Sequence, residues 1–428
     1  MSRDEEDLQL SKPRDTAAGF DSLKSTIKHS VGKMGILRAS RALLKLNKTG
    51  GIDCQSCAWP DPDGSRAVAE FCENGAKAMA DEATKKRIGR EFFARYSVRE
   101  LSEQTDFWLN EQGRLIEPLI LRDGSEHYEA ISWEDAFTHI AAGLNGLASP
   151  NEAVFYTSGR TSNEAAFLFQ LFVRQFGTNN LPDCSNMCHE STSVALGRAI
   201  GLGKATVRLE DFEKTELVIV IGQNPGTNAP RMMSSLAAAK AAGAKMIAIN
   251  PLPEAGLMNF VDPNPQHGNL LSFFGFRPTK LADLHLPVRI GGDMAVLKGL
   301  MKVMFEHERS GPGTVFDAEF IEAKTSGFEQ LVSTLDSTSW NEVIESSGLG
   351  REQIDAAAEM IMSAGRFITC WAMGVTQHRQ AVATIHDIVN LHLLRGAIGK
   401  PGAGLCPVRG HSNVQGCLLY TSPSPRDS

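Results

Sequence analysis

Two groups of residues in this sequence have spacings that suit chemistry as well as packing. In the stretch DCSNMCHESTSVALGRAIGLG, residues 183–203, Cys188 and His189 stand side by side before a helical pattern of Val194, Ala195, Leu196, Ala199 and Ile200. A cysteine at a helix N-terminus meets unpaired N–H groups and the positive end of the helix dipole, which favour a thiolate. Such a thiolate is a metal ligand or a nucleophile. The plainer alternative is a structural cysteine beside a solvent-facing histidine. The second group is Cys54-x2-Cys57 in a Gly/Pro-rich loop, then Cys72 fifteen positions later, then Lys77. C-x2-C lets two thiolates converge on one centre from a tight turn, and a third cysteine helps close the cage. Zinc would want a fourth nitrogen or sulfur ligand, and neither cysteine nor histidine lies between Cys57 and Cys72. Asp61, four positions past Cys57, offers an oxygen, so a three-cysteine iron–sulfur site fits equally. Thioredoxin-like redox chemistry is a third option, disfavoured because no βαβ pattern flanks the pair.

Positioning these groups falls to alternating strands and helices. Ala153 to Tyr156 reads as a buried strand ending in Thr157-Ser158-Gly159-Arg160, with a helix over Asn163 to Phe176. Leu217 to Ile221 reads as a β-branched strand that breaks into Gly222-Gln223-Asn224-Pro225-Gly226, followed by a helix over Pro230 to Ala242. Met246 to Ile249 is a strand closed by Asn250-Pro251. Phe367 to Ala372 is another, ending at Gly374-Val375-Thr376-Gln377-His378 and feeding a helix through Leu394. Repeated strand–turn–helix units with small polar residues at the strand ends predict an α/β, doubly wound (Rossmann-like) parallel sheet that binds its ligand outside those ends. Small residues admit phosphates to backbone N–H groups, and four such turns point to a nucleotide-bearing ligand. No turn matches G-x-G-x-x-G, which disfavours a standard NAD unit. The stretch from Arg395 to Gly416 holds six glycines in 22 residues, together with Arg409, Gly410 and Asn413, and reads as a backbone-lined loop around an anion.

Composition narrows the function classes. A hydrophobic content of 42% over 428 residues supports a large soluble core, and a net charge of −7 without a basic block argues against nucleic acid as a partner. No apolar run is long enough to span a bilayer and no secretory signal is visible, so we expect a cytoplasmic protein without membrane insertion. Eight cysteines are too sparse for a disulfide scaffold. Residues 1–50 read as a loosely ordered, partly basic leader ending in a short helix near 35–46. Residues 417–428, CLLYTSPSPRDS, break continuity and resemble a translated sequencing adapter, so the native sequence is expected to depart after Gly416.

Taken in order, SGRTSNEAAF, NMCHESTSVAL, VIGQNPGTNAPRM, AINP, ADLHLPVRIGGDMAVL, WAMGVTQH and GKPGAGLCPVRGHSNVQG resemble the molybdopterin oxidoreductases of the dimethyl-sulfoxide-reductase superfamily. Within it the likeness is to formate dehydrogenase alpha-type proteins of an acid-resistance-associated branch, and it covers residues 51–416. The resemblance implies an iron–sulfur domain over 51–100, the first half of one molybdopterin-binding α/β domain over 101–183, a second such domain over 184–416, and a C-terminal β-barrel domain missing here. It implies molybdenum bis(molybdopterin guanine dinucleotide) and a 4Fe-4S cluster as cofactors. The cluster ligands implied are Cys54, Cys57 and Cys72, with Asp61 where the usual pattern has a cysteine. Lys77 resembles the lysine between cluster and pterin. Cys188, with Ser191 as its rival, resembles the molybdenum ligand, His189 the neighbouring proton-handling histidine, and Arg409 the arginine that steadies an anionic substrate. Residues expected on the pterin are Ser158, Gly159, Arg160, Asn163, Gly222, Asn224, Pro225, Asn228, Asn250, Gly374, Thr376, Gln377, Gly410 and Asn413. The activity implied is a two-electron conversion of a small anionic substrate, its electrons leaving through the cluster to an unspecified partner. A protein that keeps the fold as a non-catalytic binder or sensor is the alternative. The resemblance further implies that the chain as written, lacking those regions, is inactive and aggregates.

Overall fold

The runs LVIVI and FITCW are buried at every position, the pattern of strands covered by helices on both faces. A computed structural model of the chain describes residues 12, 14–64, 67–182, 184–263 and 278–413; the 417–428 tail lies outside them. In chain order the elements that matter are α1 (Gly19–Met34), α2 (Ile36–Lys45), α3 (Glu73–Glu82), α4 (Trp133–Asn145), α5 (Asn163–Phe176) and α6 (Cys184–Ile200). There follow β1 (Leu217–Ile221), α7 (Pro230–Ala241), β2 (Lys245–Ile249), β3 (Leu284–Leu286) and α8 (Asp293–Ser310). The last are α9 (Arg351–Ser363), β4 (Phe367–Trp371), α10 (Ala381–Leu394) and β5 (Gly404–Pro407).

All five strands run parallel in the order β3-β2-β1-β4-β5. Because side chains alternate along a strand, each one feeds two cores. Leu217, Ile219 and Ile221 of β1, with Phe367 and Trp371 of β4, pack under α6, α8, α9 and α10. Val218 and Val220, with Ile368 and Cys370, meet Met232, Met233 and Leu236 of α7 and, beyond it, Trp59 and Phe212. The fold is therefore mixed α/β with a parallel sheet. Among the described residues no helix is long and apolar enough to cross a membrane.

Three sequence expectations need correcting. Among the described residues Ala153 to Tyr156 joins none of the sheets: Phe155 packs on Phe169, Phe172 and Phe176 of the following helix, while Val154 and Tyr156 are exposed. An apolar run says nothing of whether a pairing strand lies beside it. The short strands β3 and β5 were not anticipated; β5 lies inside the stretch read as a loop. Residues 14–50 are ordered as well. Ala17 pairs with Phe260, and α1 and α2 bury Met34, Ala39 and Ala42 against Ala80 of α3. Hydropathy hid α1 because its buried stripe is Ser22, Thr26, Ser30 and Met34. Apolar side chains are also exposed on α4 (Trp133, Phe137, Ile140) and α5 (Phe167, Leu168, Leu171).

The turns after β1 and β4 touch through their backbones. Gly374 N donates to Gly222 O at 2.9 Å, and a Cβ on Gly374 would lie 2.5 Å from that oxygen. Gly374→Ala should therefore force the turns apart and cost about 1–3 kcal/mol, the range for overpacking, seen as a lower urea midpoint with an unchanged slope. An unchanged midpoint would show that the turns yield freely.

Asp387, on the buried side of α10, is the second test. Burial pushes its carboxyl up to about 6, against the opposing pull of Lys298 and of Asn390. A carboxyl raised in the folded state favours folding below its unfolded pKa, and this contribution is lost as pH rises through about 6. Asp387→Asn should therefore stabilise the fold by up to about 3 kcal/mol at pH 8, with the gain shrinking between about pH 6 and pH 4. Denaturation curves across that range check it; a gain independent of pH would assign the effect to packing.

Candidate functional site

After β1 the chain builds β2 and β3 to one side, then crosses back to place β4 and β5 on the other. Between β1 and β4 the winding reverses, and the crevice outside the strands' carboxyl ends at such a point is where doubly wound sheets hold ligands. Gly222 takes the left-handed φ of +59° that the turn after β1 requires. Gly374 closes over it.

Cys188 lies above this point. Thr376 Oγ1 donates to Cys188 O at 2.8 Å, Gln377 Nε2 donates to the carbonyls of Met187 (2.7 Å) and Cys188 (3.1 Å), and Cys188 Sγ lies 3.3 Å from Met373 Sδ. Ser191 Oγ donates to Thr376 O at 3.3 Å. α6 is kinked at His189 (φ −133°, ψ 24°), so Cys188 precedes the start of a second helical segment, as its sequence context suggests. The thiolate expected there is not favoured in this state. Burial pushes the thiol pKa up, and the Gly410 backbone and the Arg409 charge pull it back only partly.

The kink turns His189 inward, where it is fully buried. Its Nε2 lies 3.1 Å from Val408 O and its Nδ1 3.0 Å from Thr192 Oγ1, which accepts from Trp371 Nε1 at 3.1 Å. A carbonyl only accepts, so Nε2 carries the proton and Nδ1 accepts from the Thr192 hydroxyl. Burial first, then the Arg409 charge, push the imidazole down to about 4. It is neutral near pH 7 with both nitrogens engaged, which does not match the expected role of handling a substrate proton. Arg409 is itself partly buried, its Nη2 3.3 Å from Ser193 Oγ and 3.0 Å from Gly203 O.

Two further segments meet the same end of the sheet. Gly159 N donates to Cys184 Sγ at 2.9 Å, and Gly159 O accepts from Asn413 N at 2.7 Å. Asn413 Nδ2 reaches Thr161 O at 2.6 Å and Asn163 Oδ1 at 3.0 Å. Ser158 Oγ accepts from Arg160 N at 3.3 Å. The Ser158–Asn163 turn, Cys188, Gly374 to Gln377 and Arg409 to Asn413 thus form one cluster. Asn250 is not drawn into it: at the end of β2 its side chain donates to Leu252 O at 2.9 Å. Asn228 is exposed at the end of the short helix that Pro225 opens. Sequence reasoning missed Cys184, Thr192 and Gln223. Thr192, three positions past His189 on a helix, had a usable signal in its spacing.

Whether a large polar cofactor suits this crevice can be tested on the polar atoms. Among the described residues, Gln223 Oε1 and Asn224 Oδ1 in the turn after β1 are buried without a hydrogen-bond partner, while Gln223 Nε2 meets Met232 Sδ of α7 at 3.4 Å. Buried acceptors are normally satisfied, and the N–H groups of a guanine or a pterin are donors of the required kind. The residues fit such a group.

The three cysteines also converge. Cys72 caps α3, its sulfur accepting from Gly75 N at 3.4 Å, and Cys54 Sγ accepts from Ser56 N at 3.4 Å. A Cβ on Gly75 would lie 2.8 Å from Cys54 Sγ and 3.8 Å from Cys72 Sγ, so only glycine leaves room there. Among the described residues no group of three His, Cys, Asp or Glu side chains is arranged to hold a metal ion. Asp61 faces Arg231 at 2.8 Å, and Arg231 also reaches Glu70 (3.4 Å) and Trp59 O (3.3 Å). Lys77 pairs with Glu73 at 2.6 Å. Asn74 Nδ2 donates to Thr227 O at 2.8 Å, tying the cysteine-capped helix to the turn after β1.

Comparison with known proteins identifies the family. The family described as Molybdopterin oxidoreductase matches residues 114–417. The chain is 51% identical over 413 residues to an uncharacterized oxidoreductase of Mycobacterium tuberculosis, covering 96% of this chain and 52% of that protein. It is 48% identical over 404 residues to Protein YdeP of Escherichia coli, covering 94% and 53%. Formate dehydrogenase H of Escherichia coli is 29% identical over 308 residues, covering 71% and 39%. The chain thus spans about half the length, or less, of these relatives. Acetylene hydratase from Pelobacter acetylenicus shares the fold with a TM-score of 0.53 and 21% identity over 66% of this chain and 35% of that one. The chain belongs to the molybdopterin oxidoreductase family.

Proposed function

We propose that the protein is a formate-dehydrogenase-like molybdenum oxidoreductase that oxidises or reduces a small anionic substrate by two electrons and exchanges them through a 4Fe-4S cluster. One observation supports this most: at the switch point a cysteine thiol stands between two strand-end turns, with a partly buried guanidinium beside it and orphaned acceptors in the neighbouring turn. In this reading residues 51–100 form the iron–sulfur domain, 101–183 and 184–416 the pterin-binding regions, and the enzyme is cytoplasmic.

The bis(molybdopterin guanine dinucleotide) cofactor would supply a metal able to take or give an electron pair. Cys188 would be its protein ligand, losing its proton on metal binding. Gln223, Asn224, Thr376, Gln377 and the Ser158–Asn163 turn would hold the pterins. Arg409 would hold the carboxylate or oxyanion of the substrate, its charge strengthened by partial removal from water. His189 is reassigned from proton carrier to positioning residue: with both nitrogens bonded, it fixes the segment after β5 that carries Arg409 against the helix that carries Cys188. Cys54, Cys57 and Cys72 would hold the cluster. Asp61, paired with Arg231, serves to anchor the cysteine loop in this state and reaches the cluster only if that pair opens.

Full-length protein from a host that makes the cofactor should contain about one molybdenum and three to four irons per chain, and should reduce a viologen dye with formate or a related small acid. Cys188→Ala should lower that rate by at least about 100-fold, since even outer-shell partners of a metal are worth 10- to 100-fold. Folded protein with molybdenum but no turnover on any small acid or oxyanion would favour a binding or sensing role. Zinc in place of iron would replace the cluster with a structural metal.

A further inference from the structure

From Gly19 to Lys48 the sequence carries seven Lys and Arg against a single acidic residue, Asp21, in a chain whose net charge is −7. The helices formed there are inverted in polarity. α1 buries Ser22, Thr26, Ser30 and Met34 and turns Phe20, Lys24, Ile27, Lys28 and Val31 outward. α2 does likewise with Leu37, Arg38, Arg41, Leu44 and Lys45, and Leu37 is 88% exposed. A mixed apolar and charged face of this kind marks an interaction surface.

What lies beneath the face indicates the partner. Met34, Ala39 and Ala42 pack on Ala80 of α3, and Lys33 pairs with Asp81 on the same helix and with Glu111. α3 is the helix that Cys72 caps and whose Gly75 lies against Cys54. The face is thus the outer side of the two helices that pack directly on the helix carrying Cys72 and Gly75, which makes it the surface nearest this side of the candidate cluster. We propose that the α1–α2 face docks a small acidic one-electron carrier protein and passes electrons between it and the cluster. This rests on the functional reading above. For each substrate molecule oxidised, two electrons cross one at a time, the cluster returning to its starting state after each, two carriers are reduced, and the protons go to solvent. The apolar side chains supply contact area, and the lysines and arginines steer a negatively charged partner into register.

The test uses full-length cofactor-loaded protein and three electron acceptors: an acidic [2Fe–2S] ferredoxin, a basic c-type cytochrome and a viologen dye. Ferredoxin reduction should fall at least about tenfold between about 20 and 300 mM salt, the scale of electrostatic steering, while dye reduction barely changes. The variant carrying Lys24→Glu, Lys28→Glu, Arg41→Glu and Lys45→Glu should lose about tenfold or more with ferredoxin at low salt and gain with the cytochrome. Its dye rate, iron content and melting temperature should match wild type. If that variant does not fold, Lys24→Gln with Lys28→Gln should still lose about threefold with ferredoxin. Ferredoxin rates indifferent to salt and to these substitutions, with dye reduction intact, overturn the docking face alone. Wild-type binding to phosphatidylserine vesicles, lost in the variant while ferredoxin turnover is unchanged, overturns it in favour of a membrane surface. Absence of substrate-dependent dye reduction in the wild type overturns the functional reading and the docking face together.

Discussion

A buried chain of hydrogen bonds, from the indole of Trp371 through the Thr192 hydroxyl and the His189 ring to the Val408 carbonyl, holds the site together. The indole can only donate and the carbonyl can only accept, which places the imidazole proton on Nε2. Burial keeps the ring in its neutral form near pH 7. Breaking any link would leave a buried polar group unpaired, at a cost of about 1–3 kcal/mol. The chain joins the end of β4, the kinked helix α6 and the exit of β5. Those elements carry Met373, Cys188 and Arg409, so the relative placement of thiol and guanidinium follows from a network that neither group belongs to.

The close approach of Gly222 and Gly374 complements this network. No side chain separates the two turns at this contact, and the buried acceptors of Gln223 and Asn224 follow directly after Gly222. On the far side of the sheet, Trp59 packs on Phe212, and Arg231 binds Asp61 and Glu70, so the cysteine loop is fastened to α7. The Asn74–Thr227 hydrogen bond links the two regions, and it runs from the cysteine-capped helix to the helix after β1. Neighbouring elements thus join the cysteine-capped helix to the segment after β1.

Much of this was legible in the sequence. LVIVI could only be a strand covered on both sides, and β1 has the bounds its apolar run suggested; α5 is the same. The strand-end turns were readable because glycine, asparagine and threonine there have few structural uses besides turns and ligands. What was not legible depended on partners distant in sequence. Nothing near Ala153 indicates that its run finds no pairing strand, and nothing near His189 indicates that Val408 will occupy its free nitrogen. The reading of α1 failed for a different reason: its buried stripe is serine and threonine with Met34 at its end, so hydropathy pointed to the wrong face.

The claim on which the rest turns is that Cys188 is the protein ligand of molybdenum. X-ray absorption at the molybdenum edge of full-length, cofactor-loaded protein addresses it directly, by comparing wild type with Cys188→Ser. The account requires one fewer sulfur and one more light-atom neighbour in the variant, with molybdenum retained. An identical sulfur shell in both proteins would contradict it and move the ligand to another group, with Ser191 the first to examine.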